Sequence, residues 1–237
     1  MEQGKAVGTT VRALAFVTIG QAPRPDLSEA VEAALPTTVR ARHAGVLDGL
    51  DRAGALARFG AAPGAPGTLI SRLQDGSTVT LDAAAVGAGL QERIDELERD
   101  GVDVIVVLCT GEFPGLRARR ARLIEPDALV TAYVETLLAG NPTGVIVPLP
   151  EQVADAREKW RGLAPAPAFA TASPYAEDDA GLLAAARALV DDGAQALVLD
   201  CMGYAERHRA ALRRGGVTVP VLTSGAMVGA WTGPLLG

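Results

Sequence analysis

Cys109 and Cys201 are the only cysteines of the 237-residue chain, and they stand in matching settings. The segment Leu97-Glu-Arg-Asp100-Gly101-Val-Asp-Val-Ile-Val-Val-Leu-Cys109-Thr110-Gly111 aligns without a gap on Leu189-Val-Asp-Asp192-Gly193-Ala-Gln-Ala-Leu-Val-Leu-Asp200-Cys201-Met202-Gly203. Each copy reads as a helix end, an Asp-Gly stop, a largely apolar strand and a Cys-x-Gly turn. The glycine after each helix suits a left-handed C-terminal position, and the one after each cysteine permits a tight turn. In an open α/β sheet, ligands bind outside the carboxyl ends of the strands, where both thiols fall. If two such sheets face each other about an approximate two-fold axis, the thiols approach one cleft from opposite sides. That arrangement suits removal of a proton from one face of a carbon and its return to the other. A thiol can serve as the base when nearby backbone N–H groups lower its pKa. The amides of Thr110, Gly111, Met202 and Gly203 could also hold a substrate carboxylate and stabilise the enolate-like charge that develops. A single cysteine in an apolar run is more often an inert core residue; the repetition is what favours acid/base roles.

Two equivalent strand ends imply two equivalent α/β units. In the first half, the pattern predicts strands at Leu14–Thr18, Thr37–His43, Leu69–Leu73, Thr78–Leu81 and Val104–Leu108. Helices are expected at Asp26–Leu35, with Asp26 as N-cap, at Asp48–Phe59 and at Ala83–Arg99. Asp75-Gly76 marks a hairpin turn. The second half predicts strands at Gly144–Val147, Ala168–Thr171, Ala196–Leu199 and Val219–Leu222, alternating with helices at Glu151–Gly162, Asp178–Asp191, Ala205–Arg214 and Gly225–Leu235. Such alternation points to parallel sheets. The expected fold is α/β, with two similar parallel-sheet domains related by a pseudo-two-fold and an active-site cleft between them. Residues 11–122 plus 224–237 would form the first domain, with a hairpin insertion and a returning C-terminal helix. Residues 123–223 would form the second.

Composition narrows the functions. Hydrophobic residues make up 49% of the chain and charged residues 21%, enough apolar material for a sizeable core. A net charge of −6 argues against nucleic-acid binding, which needs a basic face. Aromatic residues, at 4%, are too scarce for base- or sugar-stacking platforms. No segment has the length and apolarity of a signal peptide or a membrane span, so a cytoplasmic protein with no membrane partner is expected. In that compartment the two cysteines should be free thiols; a disulfide between them is the alternative on counting alone. His43 and His208, the only histidines, lack metal-ligand spacing with the cysteines, so no metal is expected. No dinucleotide or phosphate-loop fingerprint and no Gly-x-Ser-x-Gly elbow is present. Lys5 and Lys159, the only lysines, offer no convincing setting for a pyridoxal Schiff base, and no cofactor is expected.

Other residues carry two readings each. Arg24, between Pro23 and Pro25, could clamp a carboxylate in bidentate fashion or form a surface salt bridge. Thr18 and Gln21 could contact ligand or stabilise their loop. Tyr204 and Glu112 follow the two Cys-x-Gly turns and would line a pocket or lie in solvated loops. Ser224 could cap the last helix or meet a ligand carboxylate. Asp200, directly before Cys201, could orient a partner or raise the thiol pKa and favour an acid role, but is expected to bond a loop backbone or an arginine. His208 could face the cleft as a base, but is expected on a helix surface. The run Arg117, Arg119, Arg120, Arg122 could attract an anionic substrate or serve a subunit contact, but is expected to form a solvated helix face.

The paired strand-end cysteines and duplicated halves resemble the aspartate/glutamate racemase superfamily. More closely, Thr18-Ile19-Gly20-Gln21-Ala22-Pro23-Arg24-Pro25-Asp26, with Leu199-Asp200-Cys201-Met202-Gly203-Tyr204 and Arg207-His208-Arg209, looks like the AroM family within it, from about Arg12 to Trp231. The superfamily resemblance implies cofactor-independent chemistry with two opposed cysteines. Where racemases usually carry Asn-Thr after the first cysteine and Thr with His or Glu after the second, this chain has Thr110-Gly111 and Met202-Gly203-Tyr204. Glutamate specificity is therefore not carried over. The expected function is a racemase, epimerase or isomerase of a small carboxylate substrate by two-cysteine proton transfer. The alternatives are a decarboxylase or cis–trans isomerase using one cysteine, or a non-catalytic small-molecule binder. Sheets flanked by apolar helices often pair, so a homodimer is a further expectation.

Overall fold

Runs of Leu, Val, Ile and Phe four or five residues long need cover on both faces, and here they form the central strands of two sheets. The computed structural model describes residues 13–35 and 39–236; Thr37 and Thr38 of the expected second strand lie outside them. The first half runs β1 (Leu14–Thr18), α1 (Pro25–Glu32), β2 (Ala41–Gly45), α2 (Arg52–Phe59), β3 (Thr68–Arg72), β4 (Thr78–Asp82), α3 (Ala83–Arg99), β5 (Val104–Val107), β6 (Arg122–Ile124) and α4 (Pro126–Leu137). The second continues with β7 (Thr143–Val147), a 3-10 turn at Pro150–Gln152, α5 (Val153–Lys159), β8 (Ala168–Thr171), α6 (Ala180–Asp191), β9 (Ala196–Leu199), α7 (Glu206–Arg214), β10 (Val221–Thr223) and α8 (Ser224–Leu236).

One four-stranded sheet has the order β2-β1-β5-β6 and the other β8-β7-β9-β10, all pairs parallel. The orders are the same when strands are numbered within each half, so β5 and β9 occupy equivalent places. The first half differs by the antiparallel hairpin β3–β4. Strand alternation divides the core into three. Leu14, Phe16, Val104 and Val106 of one sheet share a cluster with Val145, Val147, Ala196 and Val198 of the other. Their neighbours Ala15, Val17, Ile105 and Val107 face an outer core under α2 and α3. Ile146, Leu197 and Leu199 face a second outer core under α6 and α7.

Local chemistry fixes the ends. Asp82 caps α3 through the Ala85 amide at 2.8 Å. Gly101 and Gly193, which follow α3 and α6, have φ of +81° and +99°, the left-handed geometry expected of them. Asp26 is not a cap: α1 starts at Pro25 with Arg24 in the cap position, and Asp26 lies in the first turn, paired to Arg24. β6 and α4 were not anticipated. The arginine run is a loop leading into β6, not a helix face, because buried Glu98 accepts the amides of Arg119 (3.0 Å), Arg120 (2.6 Å) and Ala121 (2.8 Å) and holds that segment extended. The first sheet thus continues through Ile124. From β10, α8 packs on α1 and α4. Among the described residues, no helix is long and apolar enough to cross a membrane.

Candidate active site

Cys109 and Cys201 follow the ends of β5 and β9, both as free thiols. Each sulfur accepts a hydrogen bond from the amide two residues on: Gly111 N–H to Cys109 Sγ and Gly203 N–H to Cys201 Sγ, both 3.3 Å. The repeat therefore extends from sequence to the hydrogen bond at each thiol. Among the described residues, the amides of Thr110 and Met202 have no acceptor. Cys109 is 9% exposed and Cys201 half-buried. Burial pushes the Cys109 thiol up to about 11, against the Gly111 amide and the Lys159 charge. It pushes Cys201 up to about 12, against the Gly203 amide, with Cys109 and Asp200 adding to the rise. Both sulfurs are thus thiols at neutral pH, and Asp200 opposes the thiolate of each.

Asp200 is in turn paired with Lys159, the last residue of α5, which sequence reasoning passed over. Its ammonium donates to the Thr110 carbonyl at 3.0 Å, beside Cys109, and to Asp200 Oδ1 at 2.9 Å, beside Cys201. Asp127 Oδ1, from the first turn of α4, forms a further ion pair with the ammonium at 2.9 Å. Burial works to discharge the lysine, but Asp200 and Asp127 outweigh it and hold its pKa above the ordinary value. Asp200 Oδ2 accepts Trp160 Nε1–H at 2.7 Å. So Asp200 binds a lysine and a tryptophan rather than a loop backbone or an arginine. The signal was out of reach in sequence because Asp127, Lys159 and Asp200 are far apart in the chain and meet only across the two sheets.

The β1–α1 loop supplies the other expected residues. Arg24 is buried, at 6% exposure, not on the surface. It binds Asp26 in bidentate fashion (Nε–Oδ1 2.8 Å, Nη2–Oδ2 2.6 Å) and reaches Tyr175 Oη at 3.2 Å in the second half. Burial opposes the guanidinium's charge, yet Asp26 and Tyr175 together outweigh it and raise the pKa. Tyr175 packs over the second cysteine turn, where a Cβ at Gly203 would lie 2.7 Å from its hydroxyl. Arg24 therefore stands near Cys201, with its fork occupied by Asp26. Gln21 ties the loop together, donating to Leu50 O and accepting from Gln74 N, each at 2.7 Å. Thr18 Oγ1 accepts the Gly20 amide at 3.2 Å. The hairpin forms a wall: Ser71 Oγ is 3.4 Å from Arg24 Nη1, and Leu69 lies against Gly111. It also bridges to the second half through Gln152 Nε2 to Thr68 O, 3.0 Å.

Several expected contributors serve the fold in this structure. The Tyr204 ring is buried in the second outer core and its hydroxyl donates to the Ala172 carbonyl. Ser224 is fully buried, with Oγ 3.3 Å from Leu199 O. The Met202 side chain joins the shared core, leaving only its backbone to the turn. His208 is not on a helix surface but 2% exposed: Nδ1 accepts the Ala205 amide at 2.9 Å and Nε2 lies 3.1 Å from the Pro174 carbonyl. Those partners require the neutral Nε2–H tautomer, and burial with the nearby Arg207 keeps the ring's pKa below its ordinary value. Among the described residues, no group of histidine, cysteine or carboxylate side chains could hold a metal.

Known structures share this architecture. The allantoin racemase from Klebsiella pneumoniae superposes with a TM-score of 0.59 at 20% identity, over 94% of this chain and 87% of that one. A liganded double mutant of arylmalonate decarboxylase gives 0.59 at 14% identity, over 94% and 92%. The Picrophilus torridus aspartate racemase gives 0.55 at 13%, over 95% and 94%. At these identities the likeness is one of fold. No curated protein matches the sequence at a significant level. Residues 14–236 match the family model described as AroM protein, almost the whole of the described chain, and the protein belongs to that family.

Proposed function

We propose that this chain is a cofactor-independent racemase, epimerase or isomerase of a small carboxylate substrate, with Cys109 and Cys201 as the acid/base pair. The observation that carries this reading is the pair of matching Cys-x-Gly turns after equivalent strands, each with its i+2 amide on the sulfur. A thiolate takes the proton from one face of the carbon next to the carboxylate, and the C–H pair collapses into an enolate-like system. The opposite thiol then donates its own proton to the other face and is left as the thiolate. The unengaged amides of Thr110 and Met202 suit the carboxylate oxygens as negative charge moves onto them. Arg24 would contribute if substrate competes with Asp26 for its fork.

Both thiols resting protonated has a consequence for pH. The base form of Cys109 becomes more populated as pH rises toward about 11, so turnover should climb through the alkaline range. The test is deuterium incorporation from solvent into a panel of small chiral carboxylates. Cys109→Ser and Cys201→Ser should each lower exchange and racemisation by at least about 100-fold, since general acid–base groups typically contribute 10²–10⁴-fold. Normal exchange in both variants would reject the proposal. The same resting protonation supports a second reading, a decarboxylase in which one thiol reprotonates the carbanion left by CO₂. Loss of activity in only one of the two variants, with CO₂ release, would select it.

A further inference from the structure

Two sulfurs at equivalent positions need not be equivalent in role, and the charges around them are not symmetric. We propose that Lys159 is a positioning residue that distinguishes the pair: its ammonium, fixed between Asp127 and Asp200 and bound to the Thr110 carbonyl, makes Cys109 the base and Cys201 the acid. The inference rests on the acid/base reading above and adds which thiol starts the reaction.

The geometry is specific. Lys159 comes from the second half yet reaches the backbone of the first cysteine turn, at 3.0 Å from Thr110 O. Its side chain is 14% exposed, and an ammonium so buried persists only when paired. Asp200, 5% exposed, is itself held by Trp160 Nε1 and cannot swing away. The ionised groups acting on Cys109 are Lys159, which favours its thiolate, and Asp127 and Asp200, which oppose it. Those acting on Cys201 are Asp200, which opposes its thiolate, and Arg24, which favours it from its pair with Asp26. Once Cys109 is ionised, its negative charge further holds Cys201 as the thiol. A clamp between two turns could be made from neutral amides; an ammonium here also brings positive charge to the first cysteine turn, while the residue it meets at the second turn is the Asp200 carboxylate.

Site-resolved alkylation tests this without a substrate. Iodoacetamide, a neutral reagent, is reacted with the full chain at several pH values between about 8 and 10, and modification at each cysteine is followed by mass spectrometry. Lys159→Gln should slow Cys109 labelling about tenfold at fixed pH, the effect of one pKa unit. Asp127→Asn should speed it several-fold, and Lys159→Arg should restore most of the wild-type rate. Labelling of Cys201 should change less in each case. A purely structural role predicts the opposite pattern, with both Lys159→Gln and Asp127→Asn loosening the site and speeding both sulfurs. That outcome, or a larger effect at Cys201, would overturn the inference. If Lys159→Gln does not fold, failure of Asp127→Asn to accelerate Cys109 does so alone. The expected labelling pattern without deuterium exchange in any carboxylate would reject the proton-transfer reading and leave the electrostatic role of Lys159 standing.

Discussion

Asp200 shows how much one side chain is asked to do beside a buried turn. Its two oxygens are divided between Lys159 and Trp160, and it precedes Cys201 directly. Trp160 is fully buried, so nothing replaces its N–H when it is removed. Trp160→Phe should strand Asp200 Oδ2 and cost about 1–3 kcal/mol for the unsatisfied acceptor, before any loss of packing. Urea unfolding measures it as a lower midpoint at unchanged slope. An unchanged midpoint would mean that water reaches this carboxylate. At this scale the sequence was legible only where it repeated itself. Cys109 and Cys201 stood out because each sits in the same frame, whereas Lys159 sits in a polar stretch beside Trp160 with nothing to mark it. Gln21 and Ser224 show the complementary limit. Their side chains are of types that contact ligands, but whether a hydroxyl or amide meets a ligand or a nearby carbonyl depends on distances that no spacing rule contains.

Among the elements, those that came out as expected are the ones whose local signals agree. α3 runs from Ala83 to Arg99 as its pattern requires, because Asp82 caps it, Val86, Leu90, Ile94 and Leu97 recur on one buried face, and Gly101 stops it. β6 is three residues at a sheet edge, too short for any period, and is held by Glu98 from another element. In α4, Leu129, Tyr133 and Leu137 are about half exposed, so its apolar residues do not mark a single face. α7 carries a pH dependence that belongs to its first turn. His208 is neutral in the native state, and protonation would set an Nδ1–H donor against the Ala205 N–H. Its native pKa lies below 6.5, so below that pH the unfolded chain binds a proton the folded chain refuses. Stability from this group is present above pH ~6.5 and is lost as pH falls toward the native value. Thermal unfolding between pH 7.5 and 5.5 should show a drop in Tm that His208→Gln reduces. Equal pH slopes in the two proteins would assign the loss to other groups.

For the molecule as a whole, the decisive feature is that the two sheets do not have separate interiors on their facing sides. Leu14, Phe16, Val104 and Val106 pack in one cluster with Val145, Val147, Ala196 and Val198, together with Trp160 and α8 residues Met227 and Val228. Removing either sheet would expose the inner face of the other, and apolar area returned to water costs about 25 cal/mol per Å². Bonds between the two halves add to this core: Arg24 to Tyr175, Lys159 to Thr110, and Gln152 to Thr68. The two halves, duplicated in topology, should therefore unfold as one unit rather than as two domains. Native-state hydrogen exchange at low denaturant can decide this. Amides of β5 and β9 should open with the same free energy and the same denaturant dependence, and Val198→Ala, in the second half, should lower protection in β5 as much as in β9. If β9 lost protection while β5 kept its own, the shared cluster would not couple the halves. The sulfur pair would then be set by two independently moving bodies, and the proposed proton transfer would lose its structural basis.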